Sequence, residues 1–181
     1  MKAVAATTLL ALGFLLPSLA ATGAEMPKEL TAAVATAEAD GRAVFQASQQ
    51  PKALAGRAVT DARKQISNFC DRDYRPIPVS IQGKTTVYFL AESPRPEEIV
   101  FGRHFKVTGA KITASSNTCT TSGPLPANAV AAYITHVLSP APSEFHVYLS
   151  LKHGKAIFVG TSAGNWAVDK GRIRFLEKRK Q

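Results

Sequence analysis

The chain has 181 residues, 45% of them hydrophobic and 19% charged, with a formal net charge of +9. Ordinary apolar content and modest charge exclude wholesale disorder, and the length suits one domain once a targeting segment is set aside. Two cysteines are too few for a disulfide scaffold, whereas nine Phe, four Tyr and one Trp are enough to seed a hydrophobic core.

Met1 and Lys2 open a positively charged start, and residues 3–20 then run without any charge. Pro17 closes the apolar stretch, and two small-x-small patterns follow, Ser18-Leu19-Ala20 and Thr22-Gly23-Ala24. This is the layout of a secretory signal peptide, so residues 1–24 are expected to be removed. The mature domain is then 25–181, periplasmic or extracellular, with no transmembrane segment. In an oxidising compartment Cys70 and Cys119 are expected to pair. Closing a loop of about 50 residues contributes roughly 4 kcal/mol in the chain-entropy model.

The mature chain begins helical. Pro27 suits a first turn, and Leu30, Val34, Ala37, Gly41, Val44, Phe45 and Ser48 recur at helical spacing. Gly41 either permits a close approach or breaks the helix. After Pro51 a second helix is expected over 54–69, with Ala55, Val59, Ala62, Ile66 and Phe69 inward. Arg75-Pro76-Ile77-Pro78 reads as an extended connector, since each proline disfavours helix at the residue before it. Val79–Gln82 and Thr85–Ala91, joined by Gly83-Lys84, make a predicted hairpin. Strands are expected at 98–101, 104–108 and 111–120, followed by a loop at 123–126.

A third helix is predicted over 127–138, burying Ala127, Val130, Ala131, Ile134, Val137 and Leu138. Phe145–Leu151 alternates and reads as a strand, turning at His153-Gly154 into a strand over 155–161. Asn165–Asp169 and Arg172–Glu177 flank a Lys170-Gly171 turn. That register pairs Trp166 with Phe175 and Val168 with Ile173 inside, and Asp169 with Arg172 and Ala167 with Arg174 outside. The predicted fold is α+β: an antiparallel sheet with a C-terminal four-stranded meander, two N-terminal helices and one later helix packed on it.

Gly160-Thr161-Ser162-Ala163-Gly164 fits the G-x-S-x-G pattern, but a nucleophile elbow needs a helix after the serine. The residues that follow read as a strand, so the segment is expected to be a hairpin turn. His136, Glu144 and His146 are the candidate catalytic set, because His and Glu serve as acid and base. The same three residues, with His104, are the candidate metal ligands. On the predicted strand Glu144 and His146 share a face, and the turn at Pro140 and Pro142 brings His136 within reach. No cofactor is expected.

The positive charge is uneven. Residues 152–181 hold eight Lys or Arg against two acids. Arg172, Arg174, Lys178, Arg179 and Lys180 are the candidate contacts for an anionic partner, a polymer or a surface. Nucleic acid is not expected, since the sequence carries no nucleic-acid fold signature and the chain reads as exported.

The segment from Thr135-His136-Val137-Leu138-Ser139-Pro140 through Glu144-Phe145-His146-Val147-Tyr148-Leu149-Ser150-Leu151 resembles a stretch in uncharacterised exported bacterial proteins. Phe101-Gly102-Arg103-His104-Phe105-Lys106-Val107 and the region Trp166 to Leu176 are similar as well, and Ala37–Phe45 is a weaker match. The resemblance implies export, implies no activity, and directs attention to His104, His136, Glu144 and His146 as a set. The leading expectation is an exported, noncatalytic module that binds an envelope protein or an anionic polymer or surface. The rival is a small metal-dependent or His/Glu-based hydrolase.

Overall fold

The computed structural model describes residues 24–50, 56–81 and 83–179. Residues 1–23 of the expected 1–24 signal segment, Pro51, Ala55, Gln82 and Lys180 lie outside the described residues. A 3-10 turn at Lys28–Leu30 leads into helix α1, Thr31–Ser48, and a short helix α2 covers Arg57–Lys64. The second helix is thus much shorter than predicted. Val59, Ala62 and Ile66 are nonetheless buried as expected.

Strands β1 (Tyr74–Ile81) and β2 (Lys84–Ala91) form the expected hairpin, with Ile81 opposite Lys84. The predicted connector at 75–78 is part of β1. Two prolines are tolerated there because β1 is the edge of a sheet ordered β1-β2-β4-β5, where a missing N–H leaves no ladder bond unmade. Strands β4 (Phe105–Thr108) and β5 (Lys111–Ala114) complete that sheet. The predicted 111–120 strand therefore stops at Ala114. Strand β3 (Glu98–Val100) instead pairs with β6 (Thr121–Pro124), where a loop was predicted.

Strand β2 is buried on both faces from Thr86 on, so it reads as a continuous apolar run and not as an alternation. Val87 and Phe89 meet Val59, Ala62, Ile66, Phe105 and Val107 on the α2 side. Tyr88 and Leu90 join the main core, which also holds Val34, Val44, Val147, Ile157, Trp166 and Phe175.

The region 127–153 reverses the sequence reading. Ala131–Thr135 is strand β7, not a helix, and Glu144–His153 is helix α3, not a strand. Val130, Val137 and Leu138, predicted to be buried, are exposed. Helix α3 is closed by Gly154 in the left-handed conformation (φ 61°), so His153-Gly154 is a helix terminus and not a hairpin. The predicted hairpin between 145–151 and 155–161 does not exist.

Phe145, His146, Val147, Tyr148, Leu149 and Ser150 are all buried. A helix covered on every side has no polar stripe, and Phe, Val and Tyr favour strand locally. Tertiary packing overrides the local preference, and the Ser143–His146 capping box and Gly154 mark the ends of the helix. Strand β7 then runs parallel to β8 (Ala156–Gly160), a pairing that requires the α3 crossover between them.

Strands β9 (Gly164–Asp169) and β10 (Arg172–Lys178) follow the predicted register. Trp166 faces Phe175, Val168 faces Ile173, Ala167 faces Arg174 and Asp169 faces Arg172. The C-terminal sheet has four strands in the order β10-β9-β8-β7, three antiparallel and one added in parallel. It is not a pure meander. Cys70 and Cys119 form the expected disulfide, with a Cα–Cα distance of 5.9 Å. No helix among the described residues is long and apolar enough to cross a membrane.

Gly41 settles how α1 meets α3. A Cβ at this position would lie 2.5 Å from the Cβ of Val147 and 2.7 Å from the carbonyl oxygen of Glu144. Gly41→Ala is therefore expected to push the two helices apart, at a net cost of about 2 kcal/mol despite the better helix propensity of alanine. A urea unfolding midpoint equal to or above wild type would contradict this packing.

Candidate functional site: a cavity lined by two histidines

The four residues singled out from the sequence separate into three environments. His136 follows β7 and His146 occupies the first turn of α3, and their rings meet edge to face with centroids 4.9 Å apart. Glu144 belongs elsewhere. On a helix, residues two apart point about 200° from each other, whereas on the expected strand they share a face. Its carboxylate instead accepts Lys106 Nζ at 3.1 Å, and Asp40 of α1 takes the same ammonium at 2.9 Å.

Burial alone would lower the Lys106 pKa, but Glu144 and Asp40 outweigh it and raise it. The Lys106 ammonium also lies 5.6 Å from the centre of the Tyr88 ring, whose phenol pKa is raised, mainly by burial. This trio ties α1, α3 and β4 together. The proposed His/Glu set loses its acid.

His104 is fully buried and serves the core. Ala91 N–H donates to its Nδ1 at 3.0 Å, which leaves the proton on Nε2 to be donated to the Val100 carbonyl at 2.8 Å. Burial pushes its pKa down to about 4, against the opposing hydrogen bond to Val100. With both nitrogens engaged it has no free ligand atom. Among the described residues no group of three His, Cys, Asp or Glu is arranged to hold a metal ion.

The protonation pattern of the other two histidines follows from their neighbours. Ser143, the N-cap of α3, donates its backbone N–H to His146 Nδ1 at 3.0 Å. His146 thus fills the third helical position of a capping box, a place usually taken by Glu or Gln. With Nδ1 accepting, the proton sits on Nε2. His136 is the mirror case. Ser139 Oγ donates to the Ala141 carbonyl, so it accepts from His136 Nε2–H at 3.0 Å and leaves His136 Nδ1 as a lone-pair acceptor.

Burial lowers both pKa values, that of His146 to about 3 with a further contribution from His136. Both rings are therefore neutral at pH 7.

These rings border a cavity of about 120 Å³. Ser115, Ser116, Thr118 and Thr120 form its opposite wall, and Phe101, Ile134 and Leu138 supply apolar surface. Several bonds pin the hydroxyl wall, among them Ser115 N–H to the His104 carbonyl at 2.8 Å and His104 N–H to Ser115 Oγ at 3.0 Å. Cys119 is bonded to Cys70, and the backbone N–H groups of Phe101 and Gly102 donate to the Thr120 carbonyl at 3.0 and 2.9 Å. Gly102 has no side chain to obstruct it, since a Cβ there would sit 2.7 Å from both Ser116 Oγ and Thr120 N. The sequence places a Ser/Thr run beside Cys119, and the disulfide, the β3-β6 ladder and the hydrogen bonds of Ser115 and Ser116 to His104 and Arg103 carry it to the histidines.

Gly160–Gly164 is a turn between β8 and β9, as expected, and Ser162 is exposed. The working residue is Thr161. Its Oγ donates to the Pro140 carbonyl at 2.8 Å and accepts Trp166 Nε1–H at 2.9 Å, which fixes the Pro140 loop beside His136.

Glu38 was not singled out by the sequence reading. It is buried on α1, accepts the Ile173 backbone N–H at 2.7 Å and receives Arg172 and Arg42 at 3.3 and 3.4 Å. An acid on an otherwise ordinary helix carries no signal of that long-range role. Arg174, Lys178 and Arg179 are exposed as expected. One transverse row of the C-terminal sheet carries Tyr133, Phe158, Ala167 and Arg174, of which Tyr133, Phe158 and Arg174 are exposed and Ala167, expected outside, is buried beneath its neighbours.

Fold and site together define an α+β protein with a small, largely apolar cavity bordered by a pair of neutral histidines. The chain matches no protein-family model, no curated protein and no solved structure.

Proposed function

We propose that this chain is an exported, noncatalytic binding module of the cell envelope, with the outward face of its C-terminal sheet as the contact surface and an acidic polysaccharide as the partner. One observation carries the reading. Tyr133, Phe158, Ala167 and Arg174 lie opposite one another across four strands. Tyr133 and Phe158 are exposed large hydrophobic residues, and Arg174 adds a cation at the end of their row.

Aromatic rings offer flat apolar faces to sugar rings, while Arg pairs with carboxylate or sulfate groups. Lys178 and Arg179 continue the basic strip beyond the sheet. Arg172 contributes less, because part of its charge is spent on Glu38. The disulfide is compatible with an exported protein.

The hydrolase alternative has weaker support, because Glu144 pairs with Lys106 and leaves the two histidines without a carboxylate partner.

Binding to immobilised heparin, used as a model acidic polysaccharide, tests the reading. Combined Arg174→Ala, Lys178→Ala and Arg179→Ala substitutions are expected to weaken binding about tenfold at low salt, from three exposed charges each worth a fraction of a kcal/mol. Phe158→Ser is expected to weaken it at any salt concentration. Unchanged retention of both variants would remove this surface from consideration.

A further inference from the structure

The cavity between His136 and His146 is independent of the basic face and has a chemistry of its own. His146 is only 6% exposed, its Nδ1 is committed to the helix cap, and no hydrogen-bond partner for its Nε2–H is found among the described residues. His136 is 7% exposed, and its Nδ1 lone pair is likewise without a partner among the described residues. Both residues line the cavity and neither atom is sealed from solvent, so each is open to water or a ligand there. Two neighbouring rings therefore present one donor and one acceptor toward the same space.

The shape and size of the space restrict what completes them. At about 120 Å³ it takes a few heavy atoms, well short of a drug-sized ligand. Phe101, Ile134 and Leu138 provide apolar walls beside the polar pair. A carboxylate is a poor match, since it brings two acceptors and places one against the His136 lone pair. An ammonium is a poor match for His146 Nε2–H. A metal ion is opposed by the same proton, which the Ser143 N–H holds on Nε2.

We propose that this cavity binds the acetamido group of an N-acetylated ligand. His146 Nε2–H donates to the amide carbonyl, the amide N–H donates to His136 Nδ1, and the methyl group rests on the apolar wall. The group occurs in N-acetylated amino sugars and in N-acetylated peptides, and the cavity recognises what the two share. Both rings stay neutral throughout, so no proton is taken up.

The test is a titration of the 15N-labelled full mature chain at pH 7, following the ring nitrogens of His136 and His146. The probes are N-acetylglucosamine, N-acetylalanine methylamide, glucose and acetate. Saturable shifts of both rings with at least one of the two amides, with a dissociation constant in the millimolar range expected for so small a group, support the proposal. Which amide binds more tightly identifies the source. His136→Leu is expected to weaken binding at least tenfold by removing the acceptor. Leu138→Trp, at the partly exposed rim, is expected to block entry and serves if His136→Leu does not fold. Equal binding of glucose or acetate, amide binding that survives both substitutions, or no ring shift with either amide overturns it, and in the last case the cavity holds water only. None of these outcomes bears on heparin binding, which depends on other residues.

Discussion

Acidification from pH 7 to 4.5 is expected to destabilise the folded protein by on the order of 5 kcal/mol, through two buried histidines. Burial pushes His104 down to about 4 and His146 to about 3, whereas an imidazole in the unfolded chain titrates near 6.5. Below pH 6.5 the unfolded chain takes up protons that the folded chain refuses. Stability is therefore fully present above about pH 6.5 and is lost as the pH falls toward those two values, at about 1.4 kcal/mol per pH unit for each residue.

A typical domain has 5–15 kcal/mol in total, so the loss is a large share of it. The melting temperature is expected to fall by about 15 °C over this interval. His153, lowered to about 4 by burial and by the neighbouring Lys152 and Lys155, adds in the same direction. In the folded protein the ring protons of His104 and His146 should show flat NMR shifts from pH 8 to 5. Titration of either ring near pH 6.5 would rule out this account.

Removing the disulfide has the second large effect. Cys70 and Cys119 are 49 residues apart in sequence, and opening that loop in the double Cys→Ala variant is expected to cost about 4 kcal/mol. The loss is also local. Residues 115–120 form the hydroxyl wall of the cavity, lie outside the regular strands, and are tied across the fold by Cys119. The disulfide is one of several ties: the Thr120 carbonyl accepts two backbone N–H groups, and Ser115 and Ser116 are hydrogen-bonded to His104 and Arg103. Hydrogen exchange in this segment should rise in the variant more than in the β9-β10 hairpin. Equal denaturant midpoints for the oxidised and reduced protein would contradict both the magnitude and the mechanism.

The C-terminal hairpin and helix α1 were legible because their periodicity is imposed by a single buried face. Trp166, Val168, Ile173 and Phe175 alternate with Ala167, Asp169, Arg172 and Arg174, so the β9-β10 register was readable residue by residue. Helix α1 was readable for the same reason, as one side of it meets the core. Helix α3 was not, because Phe145 to Ser150 are buried all round and the helical period is erased. Strand β7 was misread in the opposite sense, its alanines and spaced apolar residues imitating a helix.

The site shows the same division. The proximity of His136 and His146 was suspected from the turn between them, and the structure brings them together. It does so by a different route, with a strand leading in and a helix leading out. The strand assumption placed Glu144 beside His146, and the helix removes it to Lys106 and Asp40. His104 is consumed by backbone partners that no local pattern reveals.

By itself, then, the sequence determined the α+β class, the Cys70–Cys119 pair, the C-terminal hairpin register and the concentration of positive charge near the chain end. Each follows from local periodicity, from cysteine count or from composition. The tertiary structure alone decided which of 131–135 and 144–153 is strand and which is helix. It also decided which histidine nitrogens are free and which acid stands near which base. Those outcomes depend on burial from several directions at once and on hydrogen bonds between residues distant in sequence, and neither leaves a trace in the order of neighbouring side chains.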